Sequence, residues 1–112
     1  MNDHRMAALG DAYVNFLYSL YLSRKKRRPT GKKISSSILA RALKTAELRV
    51  LLPSRRDRHK QADAAEALIG YGWATRLIST EEALLILEEE KVLENAFASL
   101  LQTVYRRLKI KE

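Results

Sequence analysis

Two short stretches, each mixing small residues with acidic ones, restrict how this chain can fold. One is Asp63-Ala-Ala-Glu66-Ala-Leu-Ile-Gly70, and the other is Ala7-Ala-Leu-Gly10-Asp11. The first lies in a stretch, residues 59–73, that reads as a helix, where residues three apart share a face. Asp63 and Glu66 therefore point the same way, with Gly70 one turn further on. Alone, the pair also admits a plainer reading as a solvated acidic couple near a helix start, where the macrodipole favours negative charge. Asp11 heads the apolar run AYVNFLYSLYL, an expensive place for a charge without a partner. With Ala7, Ala8 and Gly10 beside it, and Gly70 opposite, the two helices can cross closely enough for Asp11 to reach Asp63 and Glu66. Three converging carboxylates repel one another and resist burial unless a cation neutralises them, and an all-oxygen donor set suits Mg²⁺ or Mn²⁺.

The rest of the chain supplies helices and little else. Residues 6–23 carry a stripe of Leu9, Tyr13, Phe16, Leu17 and Leu20, with Val14, Tyr18, Tyr21 and Leu22 filling much of the remaining surface. A helix apolar nearly all round is covered on more than one side, either by a partner subunit or as the centre of a monomeric bundle. A second helix is expected over residues 35–51, through Ile38, Leu39, Ala42, Leu43, Ala46 and Val50, capped by a serine and stopped by Pro53. A third spans 61–77, with Ala65, Leu68, Ile69, Gly72 and Trp73 facing the core; Trp73 at this spacing reads as packing rather than base stacking. Ser79-Thr-Glu-Glu82 is a capping box opening a fourth helix with Ala83, Leu84, Ile86 and Leu87 inward. Glu88, Glu89 and Glu90 fan around that helix and read as a solvated face. From Lys91 the spacing of Leu93, Phe97, Leu100, Val104 and Leu108 marks a closing helix with a basic end. No strand-like alternation, repeat or linker interrupts these elements. The expected fold is all-α, a single domain over residues 1–112 of about five helices.

Charge narrows the choice of partner. The net charge is +8, and fourteen of the 21 basic residues fall between positions 24 and 60 against two acidic ones, Glu47 and Asp57. Between 79 and 94 there are six glutamates and one lysine. A molecule this two-sided has one face suited to a polyanion. RKKRRPTGKK, residues 24–33, reads as a loop broken by Pro29 and Gly31, with Arg27, Arg28, Lys32 and Lys33 as candidate phosphate contacts. SRRDRHK, residues 54–60, is a second basic loop, in which the guanidinium forks of Arg55, Arg56 and Arg58 match phosphate oxygens and Lys60 lies beside the acidic helix. His59, on the face of Asp63, would bond a carboxylate or a phosphate, or stand incidentally at a helix start. Asn15, one turn after Asp11, would touch a 2′-OH or a metal-bound water, or serve core or interface hydrogen bonding. The absence of cysteine excludes disulfides and thiolate chemistry, and the apolar run is too short to span a bilayer. A cytoplasmic protein with no membrane partner is expected.

The ordered pair LGDA, residues 9–12, and DAAEALIG, residues 63–70, about fifty residues apart, resembles ribonuclease III. The likeness spans nearly the whole chain and is strongest to small archaeal members consisting of the catalytic domain alone, where a PTG loop (residues 29–31) and a segment like LISTEEA (residues 77–83) recur. It implies a homodimer with the first helix near the interface and no double-stranded RNA-binding domain. It also implies that Asp11 and Glu66 are direct or water-bridged metal ligands, Asp63 a ligand or orienting group, and two sites cutting opposite strands across a groove. One position departs: bacterial ribonuclease III carries a glutamate four residues before the first aspartate, where this chain has Ala7. Mini-ribonuclease III enzymes share that lack, so activity stays within the resemblance while a second metal site is left open. The leading expectation is thus a Mg²⁺-dependent endoribonuclease acting on double-stranded or structured RNA. Against it stand a catalytically weak RNA-binding or scaffold protein on the same fold and a helical DNA-binding module.

Overall fold

The computed structural model describes residues 4–48 and 57–111. Every regular element among them is helical: α1 (His4–Lys26), α2 (Ser36–Thr45), α3 (Arg58–Ala74), α4 (Thr80–Glu88) and α5 (Leu93–Lys111). Three of the helices, α2, α3 and α4, open on an oxygen-bearing side chain that satisfies free backbone N–H groups. Ser35 accepts from Ile38 N, Asp57 from His59 N and Lys60 N, and Ser79 from Glu82 N. Glu82 does not complete the expected capping box, because its carboxylate is taken by Arg107, whose guanidinium also donates to the Leu77 carbonyl at 2.9 Å.

Three helix ends depart from the expected boundaries for one shared reason. Arg27, Glu47 and Arg76 have positive φ (56°, 63° and 63°). The next residue in each case closes back onto the helix, with Arg28 N to Ser23 O, Leu48 N to Leu43 O and Leu77 N to Gly72 O. This is the left-handed closure that glycine usually supplies; here arginine and glutamate supply it, so no breaker marks the spot. Consequently α1 runs on through Arg24, Lys25 and Lys26, which were expected in the loop, α2 stops at Thr45 rather than near residue 51, and α3 stops at Ala74 rather than 77. At its other end α3 starts three residues early, because Asp57 caps it, so Arg58, His59 and Lys60 form its first turn and not a loop. Val50 and Pro53 lie outside the described residues.

α3 is the central helix, packing against α1, α2 and α5. Its small residues Ala62, Ala65, Ala67, Gly70 and Gly72 are buried on several sides, with Leu68 and Ile69 fully enclosed. Phe97, Leu100, Leu101 and Val104 of α5, Leu39 and Leu43 of α2, Leu87 of α4, and Val14 and Leu17 of α1 complete the core. On α1 the buried stripe is Gly10, Tyr13, Val14, Leu17 and Tyr21, rotated from the expected one, so that Leu9 (39 %) and Phe16 (54 %) are exposed. Trp73 is also 41 % exposed and not a core residue; it stacks on Tyr13, ring centroids 4.9 Å apart, while the Tyr13 hydroxyl shares a 2.8 Å hydrogen bond with Thr80. Glu88, Glu89 and Glu90 are exposed as expected, and Glu88 pairs with Arg24.

Candidate active site

The helices α1 and α3 cross at their glycines. A Cβ on Gly70 would lie 2.8 Å from Gly10 Cα, and a Cβ on Gly10 would collide with the Glu66 carbonyl. No other residue type permits backbones this close, and the contact fixes which side chains meet. Glu66, 8 % exposed, faces Asp11, whose carboxylate favours the protonated form of the Glu66 carboxyl. Burial pushes the Glu66 carboxyl up to about 8; the Asp11 charge and hydrogen bond, and then the Asp63 charge, add to the rise, and only Lys33 opposes it. A buried acid facing two neighbouring negative groups holds its proton more tightly than a free carboxyl does.

The three carboxylates differ in standing. Asp11 and Glu66 are in contact, whereas Asp63, exposed on the rim one turn before Glu66, acts on Glu66 through its charge. Among the described residues, no group of three or more His, Cys, Asp or Glu side chains forms a ready ligand cage. A hard cation, whose ligands are carboxylate oxygens and water, would fit the Asp11–Glu66 pair in donor type and in charge.

Asn15 is half-buried and hydrogen-bonded on two sides. Its amide donates to both the Asp11 carbonyl and the Asp11 carboxylate at 2.9 Å, while its Oδ1 accepts from Ile34 N at 2.9 Å. It thereby ties Asp11 to the end of the basic loop and brings Lys33 within electrostatic range of Glu66. Arg27, Arg28, Lys32 and Lys33 are exposed along that loop, and Arg58, His59 and Lys60 are exposed at the start of α3. Outside the helix ladder, the one hydrogen bond of His59 among the described residues is from its backbone N–H to Asp57. Arg55 and Arg56 lie outside the described residues. Arg24, outside the candidate set, has its guanidinium held by Glu81 and Glu88 at 2.9 and 3.1 Å.

A family model for ribonuclease III matches residues 4–110. The chain belongs to the ribonuclease III family. No curated protein matches it. Family membership makes it a nuclease-family protein of the RNA-processing kind, and the Gly10–Gly70 crossing brings together the two ribonuclease III segments that the sequence keeps about fifty residues apart.

Some relevant residues escape a reading of the sequence. Ser19 and Ser23 continue the line of Asn15 at four-residue steps and grip the basic loop; three polar residues at that spacing inside an apolar helix were the available signal. Asp57, one of two acidic residues between positions 24 and 60, is the cap of α3. Arg41 and Lys44 of α2 join Arg58 around a cleft of about 320 Å³ with Ser37 and Gln61, an adjacency that depends on helix packing and is invisible in linear order.

Proposed function

We propose that this ribonuclease III-family protein is a metal-dependent endoribonuclease that hydrolyses phosphodiester bonds in double-stranded or structured RNA, acting as a cytoplasmic homodimer of catalytic domains. The observation that carries the reading is the buried Glu66 held against Asp11 at the helix crossing, with its proton affinity raised by burial and by neighbouring negative charge. Asp11 and Glu66, assisted by Asp63, would hold Mg²⁺ or Mn²⁺, which supplies charge neutralisation and an activated water for phosphodiester hydrolysis. The chain itself does the positioning. Asn15 aims the Asp11 carboxylate, the clasped loop places Lys32 and Lys33 where phosphates would pass, and Arg58 and Lys60 flank the acidic residues on α3. A-form duplexes are read through phosphates, shape and 2′-OH groups, which matches lysines and arginines better than any base-reading surface. Phe16 on α1 is 54 % exposed, an apolar side chain that a second copy of the chain would cover.

A second reading, an RNA-binding protein of this family with weak or no hydrolysis, is favoured by Ala7 and by the lack of a three-residue ligand cage among the described residues. Incubation of a generic RNA duplex with and without Mg²⁺ or Mn²⁺ separates the two. Metal-dependent cleavage in the wild type, abolished in Glu66→Gln with duplex binding kept, supports the nuclease. Salt-sensitive binding without cleavage supports the second reading.

A further inference from the structure

The loop joining α1 to α2 is clasped to α1 through its main chain. Ser23 Oγ accepts from Thr30 N–H at 2.9 Å and donates to the Thr30 carbonyl at 3.1 Å. Ser19 Oγ does the same for Lys32, accepting at 2.9 Å and donating at 3.0 Å. Asn15 accepts from Ile34 N–H at 2.9 Å. The steps match physically: four helical residues advance about 6 Å, and two extended residues advance about 6.6 Å. Helix and loop therefore run antiparallel in register from residue 30 to residue 34.

A segment extended in this way has two edges, because the N–H and C=O groups of successive residues point to opposite sides. The groups of Thr30 and Lys32, with Ile34 N–H, face α1, so those of Gly31 and Lys33 face away. Among the described residues, the main-chain groups of Gly31 and Lys33 make no hydrogen bond. Gly31 and Lys33 are both exposed, and a side chain at Gly31 would meet nothing within 4 Å. One end of the edge lies within electrostatic reach of Glu66 through Lys33, and the other continues into exposed Arg27 and Arg28.

We propose that this outer edge is a sugar-phosphate binding site, in which the N–H groups of Gly31 and Lys33 donate to phosphates and their carbonyls accept from 2′-OH groups of one RNA strand, with Ser19 and Ser23 as positioning residues. The alternation of donor and acceptor along an edge suits a ribose-phosphate chain, which offers acceptor oxygens and a hydroxyl donor in turn, and Lys32 and Lys33 favour a polyanion over a neutral peptide strand. The inference rests on the RNA-cleaving reading above and adds a site that recognises RNA through its backbone alone.

The test is binding of the full chain to a short RNA duplex, and to the same sequence as DNA, in chelator so that no cleavage intervenes. Gly31→Pro deletes one outward N–H, keeps the charge, and leaves both serine clasps in place; the residue before it is already extended, as proline requires. Gly31→Ala is the control. Gly31→Pro should weaken RNA binding about tenfold, the loss of one hydrogen bond to a charged group, with an unchanged salt slope and a smaller effect on DNA. Ser19→Ala with Ser23→Ala should do the same, with Ser19→Thr restoring affinity. Lys32→Gln with Lys33→Gln should instead flatten the salt slope. Unchanged RNA affinity in Gly31→Pro and in the double serine variant, or tighter binding of an extended acidic peptide than of RNA, overturns the inference. A wild type that binds no RNA overturns the functional reading itself.

Discussion

At the scale of single residues, Glu66 couples the site to stability. Its ordinary carboxyl value is 4.5, and in the fold it is raised to about 8. Between those values the folded protein retains a proton that the unfolded chain has released, so stability falls as pH rises through the interval and levels off above it. In the absence of divalent ions, thermal denaturation across pH 4 to 9 should show this decline, with a total on the order of a few kcal/mol. Glu66→Gln should flatten it, and millimolar Mg²⁺ at pH 8 should raise the wild-type melting temperature but not that of the variant. A profile for Glu66→Gln that keeps the wild-type slope would place the titration elsewhere. The sequence showed that Asp11 and Glu66 were in awkward company, because an aspartate at the edge of an apolar run and a glutamate among alanines each violate a local rule. It did not show that Asp63 stands on the rim, since that depends on the rotation of α3 under its neighbours.

Two kinds of glycine argument operate at the scale of elements, with opposite signs. At the crossing, Gly10→Ala drives a methyl group into the Glu66 backbone, which belongs to the central helix and cannot swing aside. A loss of ~3 kcal/mol or more is expected, measurable as the shift of a urea midpoint. At the end of α3, Arg76 holds the left-handed conformation with its side chain exposed. Arg76→Gly removes that strain and should stabilise by about 1 kcal/mol, although glycine gives back part of the gain by loosening the unfolded chain. The same residues account for what the sequence hid. Helix cores were legible from periodicity, as Ala65, Leu68 and Ile69 of α3 show. The helix ends were not, because Arg27, Glu47 and Arg76 stand where a glycine would have announced the stop. The buried face of α1 was misjudged by one rotation because nearly every position on it is apolar, so hydrophobicity could not choose between Phe16 and Val14; only the glycine notch facing α3 decides.

For the whole molecule, charges are sorted and then stitched. The glutamates of α4 and α5 hold down selected basic residues: Arg24 is bound by Glu81 and Glu88, Arg41 by Glu94, and Arg107 by Glu82. Each such pair is partly exposed and adds little to stability, yet together they leave the loop and the start of α3 as the cationic surface. Phe16 lies apart from these pairs. Phe16→Glu should convert the proposed homodimer to a monomer in sedimentation while leaving the helical circular dichroism intact, and a wild type that is already monomeric at high concentration would remove the need for a second copy. The grip of α1 on its loop has a longer consequence. Because the serines hold main-chain atoms and are indifferent to what those residues carry, the side chains of the loop are free to change over evolutionary time without altering its course. The exposed lysines and arginines can thus be exchanged one by one while the course of the main chain beneath them is inherited unchanged.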